Sequence, residues 1–247
     1  MGQALVILIM VLALTAVVMA VATDPRLGDE APSFRDPPPP EPARSTLNIL
    51  SSFQSGENLV LDRVEEAWMH LAVQGLTAVP TLIDMSRHNL TLDEANEATD
   101  SEAFAAPAAV LLWTILAEFN GGSTLASYED NLDNLLTTLD NADCRTVVAG
   151  APSALTMATL NLLPIDFDVS ALPYWNAATA RIAAAHDARY VDLTELPADS
   201  FCFAEEGDIP LLVSPAGHRH LAELLSPAIE WALSSAPDYP GETEQCP

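Results

Sequence analysis

Apolar positions along this chain fall into two alternating patterns. Ala108 to Ala117 is an apolar run broken only by Thr114 and bounded by Pro107 and by Gly121-Gly122. A run of that length predicts a strand buried on both faces, the centre of a parallel sheet. After the glycines, Leu125, Tyr128, Leu132, Leu135, Leu136 and Leu139 recur at helical spacing behind Ser123 or Thr124 as cap. Arg145 to Gly150 returns to a strand pattern, giving the βαβ unit of an α/β sheet. Upstream, Thr46 to Leu50 and His70 to Val73 read as short strands. A helix from Glu57 to Trp68 joins them on Val60, Leu61, Val64 and Trp68. The polar, acidic stretch from Ser86 to Glu102 reads as a surface helix with loops.

Downstream, Tyr174 to His186 predicts a helix with Trp175, Ala178, Ile182 and Ala185 on one face, and Arg189 to Leu193 a further strand. Ser214-Pro215 opens the last helix, since Ser caps well and Pro suits the first helical position. That helix is expected to bury Leu221, Leu224, Leu225, Ile229 and Ala232, with Pro227 inside it. Five strands alternating with helices predict an α/β fold, a three-layer α/β/α sandwich on a parallel five-stranded sheet. In such sheets chemistry sits where strands end, and for the central run that end reads Leu116-Ala117-Glu118-Phe119-Asn120.

The flanks divide the chain. Residues 1–22 hold one uncharged apolar segment, Ala4 to Ala22, long enough to span a bilayer and ending in a small-x-small cleavage pattern. It reads as a signal peptide or an N-terminal membrane anchor, and either places the domain outside the cytoplasm. Residues 23–44 form a proline-rich linker with Pro37 to Pro40 in a row. The domain occupies 45–235, and 236–247 is a tail.

Charge narrows the partners. Against 35 acidic residues stand nine bases, all arginine, for a net charge of −26 over 247 residues. Nucleic acid is excluded as a partner, because phosphate binding needs a basic footprint. The membrane is expected to be met through the N-terminal segment alone. Asp166 and Asp168 lack further ligands at useful spacing, no zinc pattern is present, and neither a metal nor another cofactor is expected. Among Cys144, Cys202 and Cys246, the pair Cys202 with Cys246 is the disulfide to test in an oxidising compartment. Asn89-Leu90-Thr91 fits a glycosylation acceptor, which has meaning only in a secretory pathway.

Four segments line up with one pattern. Ile49-Leu-Ser-Ser-Phe-Gln-Ser-Gly56, Leu71-Ala-Val-Gln-Gly75, the stretch Ile115 to Glu118, and Ile209 to His220 come in the order and spacing of the SGNH/GDSL hydrolases, which the chain resembles over roughly Thr46 to Leu233. The resemblance implies a flavodoxin-like serine esterase or lipase scaffold. It puts Ser52 at the nucleophile, with Gly56 keeping its spacing while Leu50 and Ser51 replace Gly-Asp. It puts Gly75 at the glycine whose amide helps form the oxyanion hole. The oxyanion asparagine would be Ala117, the catalytic acid Ile209 and the base His position Leu212, before the helix start Val213-Ser-Pro-Ala-Gly-His. Asp208 can restore the acid by a one-residue slide, but no register restores the histidine.

That loss bears directly on chemistry. A serine hydroxyl needs a base within hydrogen-bond reach, and losing triad members costs on the order of 10⁴ to 10⁶ in rate. The first reading is therefore an extracytoplasmic SGNH-like pseudoenzyme or ligand-binding domain, membrane-anchored or secreted, whose ligand is an acylated small molecule or a carbohydrate. The rival is a working esterase in which His218 or His220 has become the base for Ser52, with Glu118 a further acid or base at a strand end. A third reading is a structural or partner-binding surface domain whose cleft is filled by side chains such as Leu212 and Phe119.

Overall fold

The computed structural model describes residues 44–53, 63–76, 78–153, 169–202 and 212–234. Five parallel strands form the central sheet: β1 (Thr46–Ser51), β2 (Thr81–Asp84), β3 (Ala109–Trp113), β4 (Arg145–Ala149) and β5 (Arg189–Val191). Their order is β2-β1-β3-β4-β5. β3 sits at the centre and is completely buried, as its uninterrupted apolar sequence requires. Helices α1 (Trp68–Val73), α2 (Leu92–Thr99), α3 (Ile115–Asn120), α4 (Leu125–Asn141), α5 (Leu172–Ala185) and α6 (Pro215–Leu233) cover the sheet. α1 packs on α6, which lies across β3, β4 and β5, while α2 packs on α4 and α4 on α5. The three-layer α/β/α sandwich is thus as expected. A small antiparallel pair, β6 (Phe201–Cys202) with β7 (Leu212–Val213), leads into α6.

Two expected strands are corrected. His70 to Val73 is not a strand but the end of α1, whose buried residues Trp68, Met69, Ala72 and Val73 follow helical spacing. The second strand lies further on, at Thr81–Asp84, where a half-exposed edge position tolerates the sequence Thr-Leu-Ile-Asp. The central run is also shorter than expected. β3 stops at Trp113, Thr114 turns the backbone into the helical region, and Ile115–Asn120 is helical. Both segments are apolar because both are enclosed, so composition does not separate them.

The long helices follow their patterns closely. Thr124 caps α4 by accepting the Ser127 N–H, and Tyr128, Leu132, Leu135, Leu136 and Leu139 are its buried face. Ser214 caps α6 by accepting the Gly217 N–H, with Pro215 as its first residue. Leu224 and Ala185 are exposed rather than buried. The expected helix from Glu57 falls largely outside the described residues, as do the N-terminal segment, the linker and the tail. Among the described residues, no helix is long and apolar enough to cross a membrane.

His186 ties α5 to α4. Its Nδ1 lies 2.6 Å from Asp140 and its Nε2 3.0 Å from Asp133, two carboxylates on one face of α4. Burial pushes the imidazole pKa down, but the hydrogen bonds and charges of Asp133 and Asp140 outweigh it and raise it above the usual value near 6.5. The sign follows from linkage. The clamp contributes its full stability below pH 6.5 and loses it as pH rises through the raised folded value. Urea midpoints of the wild type minus those of His186→Gln should therefore fall between acidic and alkaline pH. A pH-independent difference would refute the charged clamp.

Candidate functional site

The carboxyl end of β1 delivers Ser51 and Ser52 into a buried corner of the sheet, with Ser52 only 5% exposed. The backbone N–H of Ser52 donates to the Trp113 carbonyl at 2.9 Å, and its Oγ donates to that same oxygen at 2.8 Å. Ser51 Oγ accepts the Phe53 N–H at 3.0 Å. The loop after β2 runs alongside and closes the other flank. Met85 N–H donates to Ile49, Arg87 N–H to Ser51 at 3.1 Å, and Asn89 N–H to the Ser52 carbonyl at 3.3 Å.

Aromatic rings fill the space beyond. Phe53 stands 4.6 Å from Trp113 and 5.8 Å from Phe201, centroid to centroid. The Trp113 indole donates to the Gly150 carbonyl at 3.0 Å, and Asn176 both accepts from and donates to the Ala151 backbone. The strand ends from β1 to β4 are thus joined by hydrogen bonds that satisfy their own polar groups.

The remaining candidates are dispersed. Ala117 is buried within α3. Glu118 is 4% exposed, and its carboxylate accepts the Leu92 N–H and the Ser123 hydroxyl, each at 2.6 Å. Nearby, burial chiefly raises the pKa of Tyr128, with the Glu118 charge adding to it against the hydrogen bond shared with Thr179, so the phenol stays neutral. Phe119 packs edge-on against Trp175, 5.2 Å away, in the core layer.

His218 is fully buried, and its Nδ1 accepts the Trp68 N–H at 3.0 Å. It supplies the acceptor that Ala67, the residue before α1, cannot offer from its side chain. That ring nitrogen is therefore unprotonated and its lone pair engaged. His220 Nδ1 lies 3.1 Å from the hydroxyl of fully buried Ser200. Neither imidazole is hydrogen-bonded to Ser52.

Gly75 lies in the exposed turn that closes α1, before β2 begins. Strands of a parallel sheet all start on one side, so Gly75 is placed on the starting side and Ser52 on the ending side. Its expected position after a strand is corrected accordingly. Leu212 contributes its backbone to β7. Ile209, Asp208, Gly56, Asp166, Asp168 and the Cys202–Cys246 pair lie outside the described residues or side chains, and Cys144 is a buried free thiol. Among the described residues no group of three or more His, Cys, Asp or Glu side chains could hold a metal ion.

No family model matches the sequence, and no curated protein matches it. Solved structures do. A lipase/acylhydrolase from Enterococcus faecalis superposes with a TM-score of 0.57 at 14% identity, over 78% of this chain and 99% of that one. The psychrotrophic esterase EstA from Pseudoalteromonas sp., in a form inhibited by monoethylphosphonate, gives 0.55 at 15% identity over 76% and 97%. TesA gives 0.56 at 15% identity over 76% and 99%. The chain has the SGNH-hydrolase fold.

The loop that borders Ser52 is set by the second strand of the sheet. With that strand at Thr81–Asp84, the loop bordering Ser52 is residues 85–90, and its left-handed residue is Asn89, with φ of 58°. Asn89, not Gly75, therefore stands beside the serine in this SGNH-fold domain, and its N–H is spent on the Ser52 carbonyl. The sequence signal for it was available: Thr91-x-x-Glu94 is a capping box that marks the start of α2 and hence the end of this loop.

Proposed function

We propose that this SGNH-fold domain is a non-catalytic, extracytoplasmic binding domain for an acylated or carbohydrate ligand. One observation carries the reading: the Ser52 hydroxyl donates to the Trp113 carbonyl at 2.8 Å. A carbonyl oxygen is no general base, and a hydroxyl proton held there is directed away from any imidazole. Activation of serine requires the opposite arrangement, with Oγ donating to a base that a third group orients. Leucine at 212 and alanine at 117 support the same reading from the sequence. The apolar segment of residues 4–22 supports export.

The test is hydrolysis of short-chain and long-chain esters by the purified chain, together with labelling by an activated fluorophosphonate. The expected outcome is no Ser52-dependent turnover and no label on Ser52, with Ser52→Ala costing about 1 kcal/mol of stability for the lost hydrogen bond. Turnover or labelling abolished by Ser52→Ala overturns the proposal in favour of a working esterase. Binding is read separately, by calorimetry with a fatty acyl ester and with soluble oligosaccharides.

A further inference from the structure

We propose that Asn89 is an acceptor for N-linked glycosylation, carried to the transferase by export of the chain. Asn89-Leu90-Thr91 is the one Asn-x-Ser/Thr triplet in the 247 residues, and its middle residue is not proline. The fold is built to carry a sugar there. Asn89 is exposed, while Leu90 beside it is 1% exposed and anchors the loop in the core. Its φ of 58° is a left-handed conformation that asparagine tolerates better than other side-chain-bearing residues. Its backbone N–H is satisfied by Ser52, and its carboxamide makes no hydrogen bond within the described residues, so modification breaks nothing.

In the transfer, the Asn89 carboxamide nitrogen bonds to the anomeric carbon of a polyprenyl-phosphate-linked oligosaccharide. The bond from that carbon to phosphate breaks, its electron pair leaves with the lipid phosphate, and the amide proton passes to the transferase. In the folded domain the Thr91 hydroxyl accepts the Glu94 N–H, a cap that can form after the sugar is attached to Asn89. The finished glycan would stand at the strand-end side, next to Ser52. This inference is independent of whether the domain hydrolyses esters.

The experiment expresses the full chain, with a C-terminal tag bearing its own Asn-x-Thr triplet, in a eukaryotic secretory cell line. Two glycans removable by peptide N-glycosidase are expected, one after Asn89→Gln, and deamidation at residue 89 in the tryptic peptide beginning at His88. Thr91→Ser should keep a fraction of the first glycan. A single glycan on the wild type, confined to the tag, overturns the acceptor role of Asn89. No glycan on either site overturns the export on which it depends.

Discussion

Gly217→Ala is expected to cost about 3 kcal/mol or more and to leave little folded protein at 37 °C, because its new methyl group has nowhere to go. A Cβ built on Gly217 meets the backbone carbonyl oxygen of Ser200 in a severe clash, with the Ser200 carbonyl carbon at 2.6 Å and its Cα at 2.7 Å. That backbone is fixed on both sides. Ser200 N–H donates to Pro197, and its carbonyl accepts the Ser214 N–H. Ser214 in turn caps α6 and donates its hydroxyl to the Asp199 carbonyl. Relieving the clash would move the whole entry to α6, the helix that lies across three strands.

Gly150→Ala is the control. Its Cβ would meet the outer ring atoms of Tyr190, with Cζ at 3.0 Å, and the Asn176 oxygen at 3.1 Å. The end of a half-exposed tyrosine can swing aside, so about 1 kcal/mol is expected. Circular dichroism and urea unfolding of the two variants decide the matter. Equal midpoints for both would show that the approach of α6 to Ser200 is looser than these distances state.

The same glycine shows what the sequence made legible. Ser214-Pro-Ala-Gly-His218 was readable as a capped helix start, and the cap, the proline and, Leu224 apart, the buried stripe stand where spacing put them. Long amphipathic helices repeat their signal over several turns, so α4 and α6 were readable from one sequence. Short enclosed or edge segments give no such redundancy. His70 to Val73 and Thr81 to Asp84 are each four residues long; the first reads as a strand but is helical, and the second, which carries no expected element, is the strand. Only tertiary context, the packing of α1 against α6 and the pairing of β2 with β1, distinguishes them.

One misplaced strand then moved a candidate residue across the molecule. Gly75 was assigned by following the wrong element, and Asn89, which borders Ser52, was read only as part of a glycosylation triplet. That the resemblance meets Ala117, Ile209 and Leu212 where it implies an asparagine, an acid and a histidine was legible in the sequence alone. What no sequence pattern could give is the direction of the Ser52 hydroxyl or the commitment of His218 to the Trp68 amide, because both depend on atoms brought together from distant segments.

Glu118 is the case in which the scaffold and catalytic explanations of one carboxylate make different numerical predictions. It follows Ala117, where the resemblance implies the oxyanion asparagine, and the structure gives it two partners and encloses it. Leu92 is the first residue of α2, so its N–H is among those no helix can satisfy from within. The side chains of Thr91 and Glu94 each accept the other's backbone N–H, and Glu118 reaches in from α3 to satisfy Leu92. A negative charge there also complements the positive end of the helix dipole. Its other oxygen holds Ser123, the residue before the cap of α4. One side chain thereby fixes where α2 and α4 begin relative to β3.

Hydrogen bonds to a charged group contribute about 1.5 to 3 kcal/mol each, and a buried N–H left without an acceptor adds its desolvation cost. Glu118→Ala should accordingly lower stability by about 3 to 4 kcal/mol. Glu118→Gln keeps an acceptor for Leu92 and offers its NH₂ to Ser123, so about 1 to 2 kcal/mol is expected. Ser123→Ala should cost about 1 kcal/mol, and the double variant should show coupling on the order of 1 kcal/mol, as shared partners do. Equilibrium urea unfolding with unchanged m-values measures all four. A catalytic carboxylate would give the reverse pattern: small stability losses, with a rate that Glu118→Gln abolishes and Glu118→Asp partly restores. Stability losses in the order Ala, then Gln, then Ser123→Ala, with no change in ester turnover, would place Glu118 in the scaffold and account for a buried carboxylate by the two helix starts it holds.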